Sequence, residues 1–418
     1  MTDAVSTDLI VIGAGVIGLS IANTALARGL SVTVIDRAGP AAGTSAGNAG
    51  GFAFCEIQPL ASPGTLLKSP KWLVDPLGPL SVPLAYATKI LPWMIRFARE
   101  CTPARVRASV VAQAALMAQS RAALEDLMAQ TGTLDMLRKT GQMSVFESAR
   151  GFDAARRNWQ DAGRHGYSHR PLIGADEIAS AQPGLSPRFT HAILTDAWWA
   201  IADPKLYTLA LGEAFLRDGG KIEIAEVAAI APETGAATVR LTDGRTETAR
   251  KVVLAAGAFS HRIAKSLGDR IPLEAERGYN TTLPPGAFDL RRHITFADHG
   301  FVAAPLATGI RIGGAVELGG IDLPPNYARS RAMLKRAAEF MPGLKTEGGT
   351  EWMGHRPSLP DTLPVIGPAP ASRDVIYAFG HGHLGLTQSA GTARIVADLV
   401  TGAAPAIDLS PFSPNRFR

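Results

Sequence analysis

The chain has 418 residues, 46% hydrophobic and 19% charged, which excludes a mainly disordered protein. At about 150 residues per domain it can fill two or three domains. Lys and Arg number 42 against 37 Asp and Glu, a net charge of +5. With no basic block and 6% aromatic residues, nucleic acid is not an expected partner. The excess is either an ordinary surface balance or a match to small anionic ligands.

Asp8–Ile12 reads DLIVI, a buried parallel strand. Gly13–Gly18 (GAGVIG) follows, then a helical stretch, Leu19–Arg28, with Gly29 placed to cap it. Ser31–Asp36 is a second strand, and a loop runs from Ala38 to about Phe54. The apolar stretch from Trp72 to Arg99 is broken by Pro76, Pro79, Pro83 and Pro92. There Leu84, Ile90, Leu91, Trp93 and Phe97 lie beside Lys89, Arg96 and Arg99, which suits a lid or a peripheral contact with the inner membrane. A long helix begins at Pro103, with Val106, Val110, Ala114, Met117, Leu124 and Met128 on one core-facing stripe. Gln142–Phe146 reads as a strand and Gly151–Gly163 as a helix. Asp203 is an N-cap and Pro204 the first position of a helix reaching Arg217, stopped by Gly219 and Gly220. Lys221–Ile230 and Arg245–Ala256 read as strands, and 272–345 as strands with one helix, Ala328–Phe340. A strand, Val375–Phe379, a glycine-rich loop and a helix, Thr387–Thr401, close the chain. No apolar run reaches about 18 residues, the length of a membrane span. The start, Met1-Thr2-Asp3, lacks the pattern of a secretory signal. Cys55 and Cys101 make neither a disulfide framework nor a zinc site, so a cytoplasmic setting is expected.

The GxGxxG spacing has a physical reading: Gly13 for the tight turn, Gly15 for approach of a pyrophosphate, Gly18 for close helix–strand packing. The helix opening there directs N–H groups and a positive dipole end at phosphates. Asp36, at the end of the second strand, can accept from a ribose and disfavours a 2′-phosphate, although Arg37 stands beside it. Three further segments share a purpose with this unit: TSAGNAGG at 44–51, VVLAAGAFS at 252–260 and GHGHLGLTQSAG at 380–391.

Together these segments resemble the FAD-dependent amino-acid oxidoreductases of the D-amino-acid oxidase, glycine oxidase and sarcosine oxidase superfamily over nearly the whole chain. Within it they are most similar to bacterial D-amino acid dehydrogenases. The TSxxNAG loop, Arg277-Gly278-Tyr279, the G-x-R-P-x-x-P-D stretch from Gly354 to Asp361 and the GHG-x-LG loop carry the likeness. The ERGYN run is also similar to hydroxyproline-catabolic members. The resemblance implies that FAD lies along Gly13, Gly15, Val16, Ile17 and Gly18, with Asp36 and Arg37 at the ribose. Thr44, Ser45, Asn48, Ala49 and Gly50 would wrap the pyrophosphate, Val227 would touch adenine, and Ala256 and Gly257 would line the dinucleotide. Gly382, His383, Leu384, Gly385, Leu386 and Thr387 would present N–H groups to the flavin, whose reduced form is anionic. Relatives that bind FAD covalently use a cysteine late in the chain; both here precede residue 102, so non-covalent FAD is expected.

For a substrate carboxylate the candidate is Arg356, whose guanidinium binds in bidentate fashion and would also adjoin the flavin. Tyr279 and His383 are further catalytic candidates, and Phe301 stands where glycine oxidases carry a tyrosine. Trp198 and Trp199 either wall the substrate or pack a domain seam. His355, His381 and His383 lack acidic or cysteine companions, so no metal is expected. The expected fold is α/β, α+β as a whole: a discontinuous Rossmann-type FAD-binding domain (1–60, 200–270, 350–418) and a substrate domain (61–199, 271–349) with a mixed or antiparallel sheet. The expected reaction is hydride transfer from the α-carbon of a D-amino acid to flavin N5, giving an imine and then a 2-oxo acid. D-Proline and 4-hydroxy-D-proline are among the candidates, and oxygen, a quinone or another carrier would take the electrons. The rivals are a glycine or sarcosine oxidase, a flavin monooxygenase and a non-catalytic dinucleotide-binding protein.

Overall fold

The structure, a computed structural model, describes residues 7–67 and 80–418. Trp72, Pro76 and Pro79 of the proline-broken stretch lie outside the described residues. Five strands run parallel in the first sheet, in the order Lys221–Ile224, Val32–Asp36, Thr7–Ile12, Thr246–Leu254 and Ser372–Phe379. Leu9, Ile10 and Val11 are fully enclosed because helices and loops cover both faces, which is why this strand is apolar without alternation. Thr246–Leu254 has two partners. Its second half pairs with Ser372–Phe379, and its first half takes an antiparallel hairpin, Val227–Glu233 with Ala236–Leu241.

The Lys221–Ile230 reading needs correction, because two strands stand there. The Ala225 N–H reaches the Asp36 carbonyl at 3.0 Å and closes the parallel edge, and Val227 then starts the hairpin. The first helix also starts earlier than expected, at Val16, and ends at Ala27. On the sheet lie the helices Val16–Ala27, Pro204–Arg217 and Gly385–Thr401. The long helix is Pro103–Thr131; Ala114, Met117, Leu124 and Met128 are buried and share the core of this first sheet. It crosses Gly385–Thr401 so closely that a Cβ on Gly391 would stand 2.3 Å from Ser120 Oγ. As expected, the Asp203 carboxylate accepts from the N–H groups of Lys205 (2.8 Å) and Leu206 (3.0 Å), capping its helix.

The second sheet runs Thr350–Ser358, Glu274–Leu283, Gly309–Leu318, Phe301–Leu306, His293–Phe296, Gln142–Phe146, His191–Thr195, Arg170–Ile173. It is mixed: most neighbours are antiparallel, while His293–Phe296 runs parallel to Gln142–Phe146. Period-two alternation gives it two unlike faces. Ile294, Phe296, Phe301 and Ile312 pack under the helix Ala328–Phe340. Gln142, Ser144, His293, Thr295, Arg311, Asn280 and Arg356 alternate with them, and this polar face looks towards the 44–51 loop. A small sheet, Gly51–Phe52 with Trp199–Ile201 and Leu137–Arg138, ties that loop to the second body. The prolines at 83 and 92 do not prevent a helix at Ala87–Glu100, which encloses Pro92 and buries Ile90 and Trp93.

Candidate active site

The glycine-rich turn is built by exclusion of side chains. A Cβ at Gly13, which has φ +112°, would stand 2.5 Å from the Ala255 carbonyl oxygen, and one at Gly18 would stand 1.9 Å from the Gly13 oxygen. The ends of two parallel strands are thus drawn together over the start of the Val16–Ala27 helix. Its first turn carries no acidic residue, and the Val16 N–H donates to Ser45 Oγ at 2.9 Å. Asp36 fastens the same turn, accepting from the N–H groups of Ala14 (2.8 Å), Ala38 (2.8 Å) and Gly39 (2.9 Å). The Arg37 guanidinium lies 3.8 Å over the ring of Phe259, just past Ala256 and Gly257. Val227 begins its strand two residues after the Asp36–Ala225 contact, so it stands at that same end. At the other end, Gly385–Thr401 opens without a side-chain cap or an acidic residue, and the Gln388 N–H is the first to turn back into the helix, to Leu384. The preceding N–H groups, Gly385 to Thr387, point beyond the helix end. The Thr387 hydroxyl is held between the Ala53 N–H (3.0 Å) and the Gly51 carbonyl (3.3 Å).

The 44–51 loop crosses the polar face of the second sheet strand by strand. Thr44 Oγ1 donates to the His355 carbonyl at 2.7 Å, and Gly47 lies against the Trp352 ring, where a Cβ would be 2.3 Å away. Asn280 Nδ2 donates to the Gly47 carbonyl at 2.8 Å, and Arg311 donates to the Asn48 carbonyl and, at 3.0 Å, to Thr282. Asn48 closes its own turn through Ser45 and Gly50, and Ala49 lies between them. Gly51 ends over Trp198, where a Cβ would be 2.7 Å from the indole. Asn280 and Arg311, which hold this loop, escape sequence reasoning. The only signal for Arg311 is a lone arginine in a largely apolar strand, and Asn280 stands among polar residues that give it none.

Arg356 lies in the strand Thr350–Ser358, opposite Glu276, and its Nη1 donates to the Ala315 carbonyl at 3.1 Å. Its side chain crosses Gly278, where a Cβ would be 2.3 Å from Nη2. Arg356 is only half-buried by area, yet burial is the main force lowering its pKa. His383 and Glu56 are alike: both expose side-chain area, while burial lowers the His383 pKa to about 4, helped by Arg356, and raises that of Glu56. His383 also lines a small cleft with Gln58, Gln113 and Ser358. The Arg356 cation, a neutral imidazole and the open helix end at Gly385 therefore converge between the two bodies.

Other sequence candidates do not join them. Tyr279 projects from the opposite face of the sheet; its hydroxyl donates to Glu317 at 2.7 Å and accepts from the Asn326 N–H at 3.0 Å. Arg277 is fully buried, pairs with Glu317 at 3.0 Å and donates to the carbonyls of Gly320, Leu323 and Pro324. Phe301 belongs to the core, stacked 4.6 Å from Phe296. Trp198 packs on His293 and Trp199 on Phe54, at 5.2 and 5.4 Å between ring centres. His381 is buried on Thr392, its pKa lowered to about 3 by burial. Among the described residues no three His, Cys, Asp or Glu side chains gather as a metal site.

A family model described as DAO, FAD dependent oxidoreductase, matches residues 8–399. The chain belongs to this family. A D-amino-acid oxidase of Bradyrhizobium diazoefficiens is 35% identical over 97% of this chain and 98% of its own. A D-amino acid dehydrogenase of Rhizobium johnstonii is 30% identical over 98% of this chain and 99% of its own. In architecture the oxidoreductase is similar to glycine oxidase from Geobacillus kaustophilus, with TM-score 0.78, 22% identity and 98% of each chain covered. The α/β fold with two unlike sheets is thus a flavoenzyme fold. The observed residues fit FAD: the cradle admits no side chain at Gly13 or Gly18, a Cβ at Gly15 would stand 3.1 Å from Ser45 Oγ, and the helix ends at Val16 and Gly385 both lack acidic groups.

Proposed function

We propose that this FAD-dependent oxidoreductase oxidises a D-amino acid, with Arg356 holding its carboxylate. The observation carrying the reading is the guanidinium of Arg356 on the cleft side of the sheet, near His383 and away from the spent Arg277. The two curated relatives named for D-amino acids, each matching nearly the whole chain, support the D series. Gly13 to Gly18 with Asp36 and Arg37 would hold the adenosine half, the 44–50 loop the middle, and Gly382 to Thr387 the flavin end. When bound, FAD supplies the two-electron acceptor for the oxidation. The protein's own work is to orient the α-carbon and exclude water, which demands placement more than acid or base. The substrate loses a hydride from Cα and a proton from nitrogen; the imine then hydrolyses to a 2-oxo acid, or persists if the substrate is a cyclic amino acid such as D-proline or 4-hydroxy-D-proline.

The test is anaerobic bleaching of the yellow holoenzyme by D- and L-amino acids, sarcosine, glycine and proline derivatives. Fast bleaching by D-isomers is expected, with the colour released from acid-precipitated protein because the FAD is non-covalent. Preference for sarcosine, or for L-isomers alone, would overturn the reading. Repetition with oxygen and with a soluble quinone assigns the electron acceptor. No helix among the described residues is long and apolar enough to cross a membrane. A peripheral contact is supported by Leu84, Leu91 and Ile95, exposed at 95%, 54% and 47% and flanked by Lys89, Arg96 and Arg99. Loss of sedimentation with anionic vesicles in Leu91→Asp is its expected signature; equal sedimentation would remove it.

A further inference from the structure

Glu276 stands directly across the strand pair from Arg356, on the same face of the sheet. Opposed residues of this kind hold their Cβ atoms about 4.5–5.5 Å apart. Arg356 nevertheless turns away, over Gly278 and onto the Ala315 carbonyl. Glu276 is 6% exposed, and its Oε2 is buried without a hydrogen-bond partner. A carboxylate is thus enclosed beside the residue that receives the substrate's own carboxylate.

We propose that Glu276 couples capture of the substrate carboxylate at Arg356 to the uptake of one proton. The proposal rests on Arg356 as the carboxylate site. With Glu276 ionised, Arg356 faces one negative charge; the docked substrate brings a second, and the enclosed site then carries net negative charge in a poor dielectric. Protonation of Glu276 removes that charge. The proton comes from solvent onto a carboxylate oxygen, and no bond of the substrate changes in the step. The charged groups acting on Glu276 are few. Arg356 faces it from one neighbouring strand, where Ser358, two residues on, also draws its pKa down, and Leu318 faces it from the other. Glu274, two residues back on its own strand, adds a like charge. Burial, the largest influence, raises the Glu276 pKa, and Arg356 opposes it. The sign follows: ligand affinity is full below the Glu276 pKa and falls as pH rises through it.

The probe is cyclopentanecarboxylate, which has no amine and is fully ionised above about pH 6. Its binding to the holoenzyme is read from flavin absorbance between pH 6 and 10. In the wild type, Kd is expected to rise with pH above the Glu276 pKa, approaching tenfold per unit. In Glu276→Gln, Kd is expected to stay flat and to be tighter than wild type at the alkaline end. Calorimetry in two buffers of different ionisation heat should show proton uptake in the wild type and none in the variant. Equal slopes in the two proteins, or a flat wild type, would overturn the proposal. If Glu276→Gln fails to fold, Glu276→Asp should keep a slope with a moved midpoint, and an unmoved midpoint overturns the assignment. Arg356→Ala separates the two readings: if it binds the probe as well as wild type, the carboxylate site itself is wrong.

Discussion

Arg356→Ala is expected to lower kcat/KM for the amino-acid substrate roughly a hundredfold or more, since leaving one member of a buried charge pair alone costs about 3–5 kcal/mol. The visible flavin spectrum and the protein's Tm should change little, because the guanidinium's hydrogen bond is to a single carbonyl, that of Ala315. Arg356→Lys keeps the charge but loses the two-pronged fork, so its activity should fall between the two. No neighbour can take over the role. Arg277 is fully engaged by Glu317 and three carbonyls, and Arg311 is spent on the 44–51 loop. Steady-state kinetics with the amino acid that bleaches the flavin fastest decide the matter, and near-wild-type turnover in the alanine variant would remove Arg356 from the site.

Local rules made much of this architecture legible. The β-branched run at Asp8–Ile12, the GAGVIG turn and Asp203-Pro204 each act within a few residues, and each occurs where the sequence places it. The Gln142–Phe146 strand and the Ala328–Phe340 helix match their expected limits. What stayed hidden depends on pairing between distant strands. Tyr279 and Arg277 are attractive as polar residues in a motif, but alternation sends them to the face opposite Arg356, where Glu317 holds both. Phe301 went to the helix-covered core by the same parity. Glu276, Asn280 and Arg311 give no decisive signal in the sequence because a polar residue in a strand has no meaning until register shows what it faces. The split at Ala225–Glu226 is likewise non-local, as it arises where the chain passes from the parallel edge beside Asp36 to the hairpin.

Gly278→Ala is expected to resemble an Arg356 variant without touching that residue. The new methyl group would stand 2.3 Å from Nη2 and 2.4 Å from Cζ of Arg356, so the guanidinium must leave its present path. A displacement of about 1 Å at a positioning group can cost about a hundredfold in rate, while a single added methyl in a packed region destabilises by about 1–3 kcal/mol. The variant should therefore fold and stay yellow, with kcat/KM reduced between about tenfold and a hundredfold. Gly354 supplies the control. It pairs directly with Gly278 in the ladder, but a Cβ there would strike the Trp352 ring at 2.0 Å instead of Arg356. Gly354→Ala should then cost stability at least as much and carboxylate binding less. Comparing Tm with the Kd of a carboxylate ligand separates the two. If both variants lose affinity in proportion to their loss of Tm, the effect is general damage to the strand pair; if Gly278→Ala alone loses affinity, the glycine is there to let Arg356 lie across it.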